Sequence, residues 1–131
     1  MPYLKPPAFT RKIFNPLAMK LGIANSHALT TTGRSTGRPH SVPVIPVELD
    51  GVTYVVGARG ETEWVRNLRQ AGTCELTRKG KGGSFTAAEL PVDQRAAVIT
   101  KYREVAGRSV ASYWEKLPAD ADHPVFRLEP R

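Results

Sequence analysis

Residues 30–44 read TTTGRSTGRPHSVPV and set Arg34, Arg38 and His40 around two glycines. Gly33 and Gly37 permit backbone angles that side chains oppose, so a turn here exposes N–H groups in a concave nest. Guanidinium groups beside such a nest donate forked, charge-assisted hydrogen bonds that suit phosphate oxygens. The chemistry on offer is anion binding. The stretch is not a Walker loop, because GRSTGR lacks both the gap and the Gly-Lys-Ser/Thr ending, and it is not GxGxxG.

The distribution of charge agrees. The 131 residues carry a net charge of +7, and the first acid is Glu48. Lys5, Arg11, Lys12, Lys20, Arg34 and Arg38 therefore precede any carboxylate, while the rest of the chain is nearly neutral. Such asymmetry points to a localised anionic partner: nucleic acid, a membrane surface or a phosphorylated ligand.

Other reactive side chains are sparse. His27, His40 and His123 lie far apart without metal-ligand spacing, so no metal site is expected. Cys74 is the single cysteine, which rules out an internal disulfide; set in an apolar strand, it reads as core. Tyr102 and Tyr113 are the hydroxyls that could donate protons near a pocket, although tyrosine at helical spacing also packs. These residues make no self-sufficient catalytic set. An enzyme built from them takes its chemistry from a cofactor.

The elements that position these groups follow from periodicity. Between His27 and Ala58 the β-branched runs ALTTT, VPVIPVEL and VTYVVGA read as three strands, with Asp50-Gly51 a hairpin signal. Pro43 and Pro46 cannot donate ladder hydrogen bonds, so their strand is an edge or carries a bulge. ETEWVRNLRQA returns to helical spacing, capped by Thr62, with Trp64, Asn67, Leu68 and Ala71 on one side. An amide on that face needs a hydrogen-bond partner, in backbone or in a ligand.

Two strands follow, TCELTRK and SFTAAEL, joined by a flexible GKGG. A helix then buries Val98, Ile99, Tyr102, Val105 and Ala106; Ser109 caps another; PVFRLEP is the last strand. Ahead of all this, residues 6–22 carry Phe9, Ile13, Leu17 and Leu21 at spacing four, a helical stripe interrupted by Pro16. That stripe packs on the core or rests on a membrane surface.

The whole reads as one domain over 1–131: an N-terminal helical segment, 1–26, and a mainly β unit with inserted helices (α+β), 27–131. Hairpins with helices at the connections suggest a small barrel or a strongly curved sheet. No spanning helix or secretory signal is present, and the default compartment is the cytoplasm.

Taken together, LTTTGRSTGRPHSVPVIPVELDGVTYVVGARGETEWVRNLRQAG resembles the deazaflavin-dependent nitroreductase family. The likeness is close over about residues 28–90 and returns in PVFRLEP. The resemblance implies a split β-barrel related to pyridoxamine-phosphate-oxidase-like flavoproteins, binding coenzyme F420, an 8-hydroxy-5-deazaflavin with a phosphodiester and an oligoglutamate tail. It places Arg34, Ser35, Arg38 and His40 around the phosphate and Val42, Pro43 and Val44 along the cofactor's path. Ala58, Arg59 and Gly60 would approach ring and side chain by backbone, and Trp64 and Asn67 would stand near the deazaflavin.

Two positions depart from the family's pattern: Ser35 replaces a frequent lysine, and Glu63 replaces an apolar residue beside the tryptophan. The implied activity is F420H2-dependent reduction of a quinone, enone or nitroaromatic, in a monomer or homodimer. The alternatives are an FMN-binding oxidoreductase of the same barrel and a non-catalytic deazaflavin carrier. A nucleic-acid-binding barrel is disfavoured, because its strand faces lack interleaved aromatics.

Overall fold

In a computed structural model, which describes residues 26–131, the described residues form seven strands and three α-helices. The strands are β1 (His27–Thr32), β2 (Pro39–Val44), β3 (Val47–Leu49), β4 (Val52–Val56), β5 (Thr73–Arg78), β6 (Lys81–Glu89) and β7 (Val125–Pro130). The helices are α1 (Glu63–Ala71), between β4 and β5, then α2 (Ala96–Ala106) and α3 (Arg108–Lys116), between β6 and β7. The expected N-terminal helical stripe lies outside the described residues.

All strand pairs are antiparallel, and the sheet runs β2-β1-β5-β6-β7-β4-β3, curled into a half-barrel. Side chains alternate across a strand, so β4 and β7 feed two cores. Val55, Phe126 and Leu128 face inward with Leu29, Val65, Leu68, Cys74 and Leu76, beneath α1. Val56 and Val125 face outward, where Val98, Ile99, Tyr102, Val110 and Trp114 of α2 and α3 cover them. Burial pushes the Cys74 thiol up to about 11, the behaviour of an inert core thiol.

Proline had its expected effect, more strongly than one strand could show. VPVIPVEL divides at Ile45-Pro46 into β2 and β3, which occupy opposite edges of the sheet. Neither strand needs a donor from Pro43 or Pro46 on its open side.

Four local expectations are corrected. GKGG is no flexible joint: Arg78 pairs with Lys81 across a two-residue turn, with Lys79 and Gly80 at φ 53° and 78°. Gly82 lies within β6, where a Cβ would stand 1.9 Å from the Leu76 carbonyl oxygen. Val105 is 38% exposed, because the buried stripe of α2 ends at Tyr102. Ser109 lies inside α3 and donates its hydroxyl to the Ala106 carbonyl at 2.7 Å, closing α2 instead of opening α3. In α1 the fully buried residues are Val65 and Leu68; Trp64 and Ala71 are half-buried.

Candidate functional site

The basic loop, residues 33–38, connects β1 to β2 at one end of the sheet. Its backbone closes on itself: the Gly33 N–H donates to the Arg38 carbonyl at 2.7 Å, and the Gly37 N–H to the Gly33 carbonyl at 2.9 Å. Gly37 has φ 74°, a conformation that excludes most side chains. The His40 ring lies over Gly33, where a Cβ would meet it at 2.6 Å.

Helix α1 holds this loop from below. Asn67, 5% exposed, accepts from the Arg34 backbone N–H at 3.2 Å and from Arg34 Nη1 at 2.8 Å. Glu63 shares the same Nη1 in an ion pair. The Arg34 guanidinium holds Glu63 below the usual carboxylate range, with smaller help from Arg66 and His40. Arg34, His40, Glu63 and Asn67 therefore form one group, although 29 residues separate Arg34 from Glu63. The buried amide whose partner the sequence left open has found it in Arg34. Ser35 and Arg38 stay on the exposed rim.

The neighbouring wall is the turn from Gly57 to Thr62. The Gly60 N–H donates to the Gly57 carbonyl at 3.1 Å, and the Thr62 N–H to the Gly60 carbonyl at 2.9 Å. Glu61 is buried and receives both Nη groups of Arg69, at 2.7 and 2.9 Å. Arg69 also grips Glu89, and Glu89 reaches Arg95, so the start of α1 is fastened to β6 and α2. Sequence patterning missed Glu61, because its partner stands eight residues on, off the helical spacings of three and four.

Thr62 occupies the N-cap position but makes no capping hydrogen bond, and its Oγ1 is buried without a partner. Thr31 Oγ1, at the end of β1, is in the same condition. Orphaned hydroxyls are uncommon in folded proteins.

The remaining candidates fall into two places. Val42 and Val44 of β2 pack inward on the first core, leaving Pro43 and the strand's open backbone edge outward. Ala58 packs on the second core, as does Tyr113, beside the buried Tyr102. Burial pushes the Tyr102 hydroxyl up to about 12; Tyr113 adds to the rise and Arg59 opposes it. Arg59, Tyr102 and Tyr113 thus share an electrostatic neighbourhood beside the second core. A separate concavity of about 720 Å³, lined by His27, Glu48, Arg78 and Phe85, opens at the other end of β1.

Comparison with known proteins fits this geometry. Residues 8–129 match the model of the F420H(2)-dependent quinone reductase family. No curated protein sequence matches the chain. A solved F420-H2 dependent reductase, FDR-A, is 28% identical, covering 80% of this chain and 94% of its own with a TM-score of 0.63. A structure described as a domain-swapped dimer is 25% identical over 92% of this chain and 97% of its own, with a TM-score of 0.64. A general stress protein 26-related protein of the pyridoxinephosphate oxidase family, from Clostridium acetobutylicum, is 16% identical. It covers 91% of this chain and 84% of its own at a TM-score of 0.58, a likeness of fold alone. The fold is the split barrel that the motif implied.

Proposed function

The chain belongs to the F420H(2)-dependent quinone reductase family, and from that premise we propose how its residues divide the work. It is an oxidoreductase whose cofactor is coenzyme F420. When bound, the reduced cofactor supplies a hydride from C5 of its deazaflavin. The chain's own share is binding, orientation and protons.

The observation that carries the reading is the fastening of Arg34 by Asn67 and Glu63. It fixes the basic loop on α1 and leaves Arg38 and His40 exposed on its rim. Arg38, His40, Ser35 and Arg34 would hold the anionic tail. The open edge of β2 at Val42, Pro43 and Val44 would border the cofactor's path. The Ala58, Arg59 and Gly60 backbone would approach the ring, and Trp64 and Asn67 would stand near it from α1. The orphaned hydroxyl of Thr62 supports this placement: a polar cofactor edge gives it the partner the protein does not.

An acceptor that takes a hydride also needs a proton. Tyr113, half-buried beside Tyr102, is the hydroxyl we assign to deliver it. The acceptor class that fits the family is a quinone, and the same two-electron chemistry extends to enones and nitroaromatics. No described helix is long and apolar enough to cross a membrane. A homodimer is the assembly to look for, since one similar structure is described as a domain-swapped dimer.

Parallel fluorescence titrations with F420 and FMN test the cofactor, and anaerobic oxidation of F420H2 by menadione tests the reaction. Saturation by F420 alone, with steady turnover, is expected. Saturation by FMN instead, or binding without turnover, would contradict the reading.

A further inference from the structure

His123 is completely buried and touches the proposed site only through backbone. Gly57, which opens the turn toward α1, is tied twice to the segment before β7. Its N–H donates to the Pro124 carbonyl at 2.7 Å, and its carbonyl oxygen stands 3.1 Å from His123 Nδ1. The turn has no slack: a Cβ on Gly57 would meet Gly60 O, Val65 Cγ2 and Pro124 Cδ at 3.1–3.2 Å.

The ring's opposite edge is also occupied. Nε2 meets the carbonyl oxygen of Leu117, which follows α3. The Leu117 N–H in turn donates to the Tyr113 carbonyl at 2.8 Å. One face of the imidazole stacks on Trp114, with centroids 3.9 Å apart and planes 10° from parallel. Carbonyl oxygens only accept and a neutral imidazole carries one N–H, so of these two contacts the bond to Gly57 is made when the hydrogen is on Nδ1. The ring stands between the turn at Gly57 and the end of the helix that carries Tyr113.

We propose that His123 is a positioning residue for the reductase reaction. Its Nδ1–H, directed at the Gly57 carbonyl, fixes the Gly57–Gly60 turn and so the Ala58–Gly60 backbone presented to the deazaflavin. This rests on the proposed contact between that backbone and the cofactor. His123 itself touches neither cofactor nor acceptor; loosening it displaces the wall and weakens binding, leaving the turnover step intact.

The test compares His123→Phe with His123→Gln in the full chain. Phenylalanine keeps a flat ring on Trp114 and removes the donor, whereas glutamine restores a donor without the ring. His123→Phe is expected to raise the F420H2 KM and the F420 Kd by about tenfold, the scale of one lost hydrogen bond, with kcat within about twofold. His123→Gln should recover most of that affinity, even where thermal unfolding shows it less stable than His123→Phe. Equal weakening in both variants, or unchanged affinity in His123→Phe, overturns the proposal.

Should His123→Phe not fold, the unaltered protein still decides. A two-bond 1H–15N spectrum is expected to show hydrogen on Nδ1, and a bare Nδ1 overturns this inference alone. Failure of the unaltered protein to bind F420 overturns the cofactor reading, and the positioning role with it.

Discussion

Asn67 Oδ1 accepts two hydrogen bonds from Arg34, one from its backbone N–H and one from its guanidinium, across 33 residues of sequence. The pair converts a glycine-rich loop into a fixed wall. A free loop of this length would sample many shapes and present its cations to solvent. Pinned on the buried face of α1, it leaves Arg38 and His40 exposed. Preorganisation of this kind lowers the ordering cost of binding an anionic ligand.

Replacing Asn67 by leucine should therefore do two things. The Arg34 N–H loses its acceptor in a part-buried setting, which costs about 1–3 kcal/mol of stability. The loop also loses its anchor, so F420 affinity falls together with stability. Urea unfolding and a fluorescence titration on the same preparation measure both. Unchanged affinity in a destabilised Asn67→Leu protein would separate the anchor from the site.

Glu61 gives a pH dependence with a definite sign. Its hydrogen bonds with Arg69 outweigh burial and hold it below its ordinary value of 4.5. The unfolded chain then takes up a proton at a pH where the folded chain does not. The resulting stability is present in full above about pH 4.5 and is lost as pH falls through the lowered folded value. Glu61→Gln should cost about 1–3 kcal/mol at pH 7, discounted because Arg69 is 40% exposed and keeps Glu89. Thermal scans from pH 7 to pH 3 should show variant and unaltered protein converging; a constant gap would contradict the assignment.

The two tyrosines should separate under substitution by phenylalanine. Tyr102 is 6% exposed and packs against Trp114 at 5.9 Å, so Tyr102→Phe removes a hydroxyl from a core and leaves turnover within about twofold. Tyr113→Phe should lower kcat about tenfold or more and diminish the solvent isotope effect, as loss of a proton donor requires. Anaerobic F420H2 oxidation with menadione in H2O and D2O distinguishes them. Equal rates for both variants would assign the proton to solvent.

Much of the fold was legible because it rests on local signals. The Asp50-Gly51 turn, the β-branched run of β1 and the helical spacing of α1 each follow from short-range chemistry. What escaped depends on long-range closure. VPVIPVEL looks continuous, yet its two halves pair with β1 and β4 at opposite edges of the curled sheet. Val105 fits the apolar stripe of α2, but it stays 38% exposed while Ala106, the next residue, packs on the second core. In the site, the loop's cations and glycines and the Trp64–Asn67 face could be read from residue type. That Arg34 is shared between Asn67 and Glu63 could not, since only folding brings 34 beside 63 and 67. The tie from His123 to Gly57, across 66 residues, was invisible for the same reason.

The most direct measurement is the F420 dissociation constant of Arg38→Ala beside that of the unaltered protein, by fluorescence titration. Arg38 is exposed on the loop's rim, so affinity should fall about tenfold or more while the unfolding midpoint stays in place. An Arg38→Ala protein that binds F420 as tightly as the unaltered one would contradict the claim that this loop holds the cofactor's anionic tail.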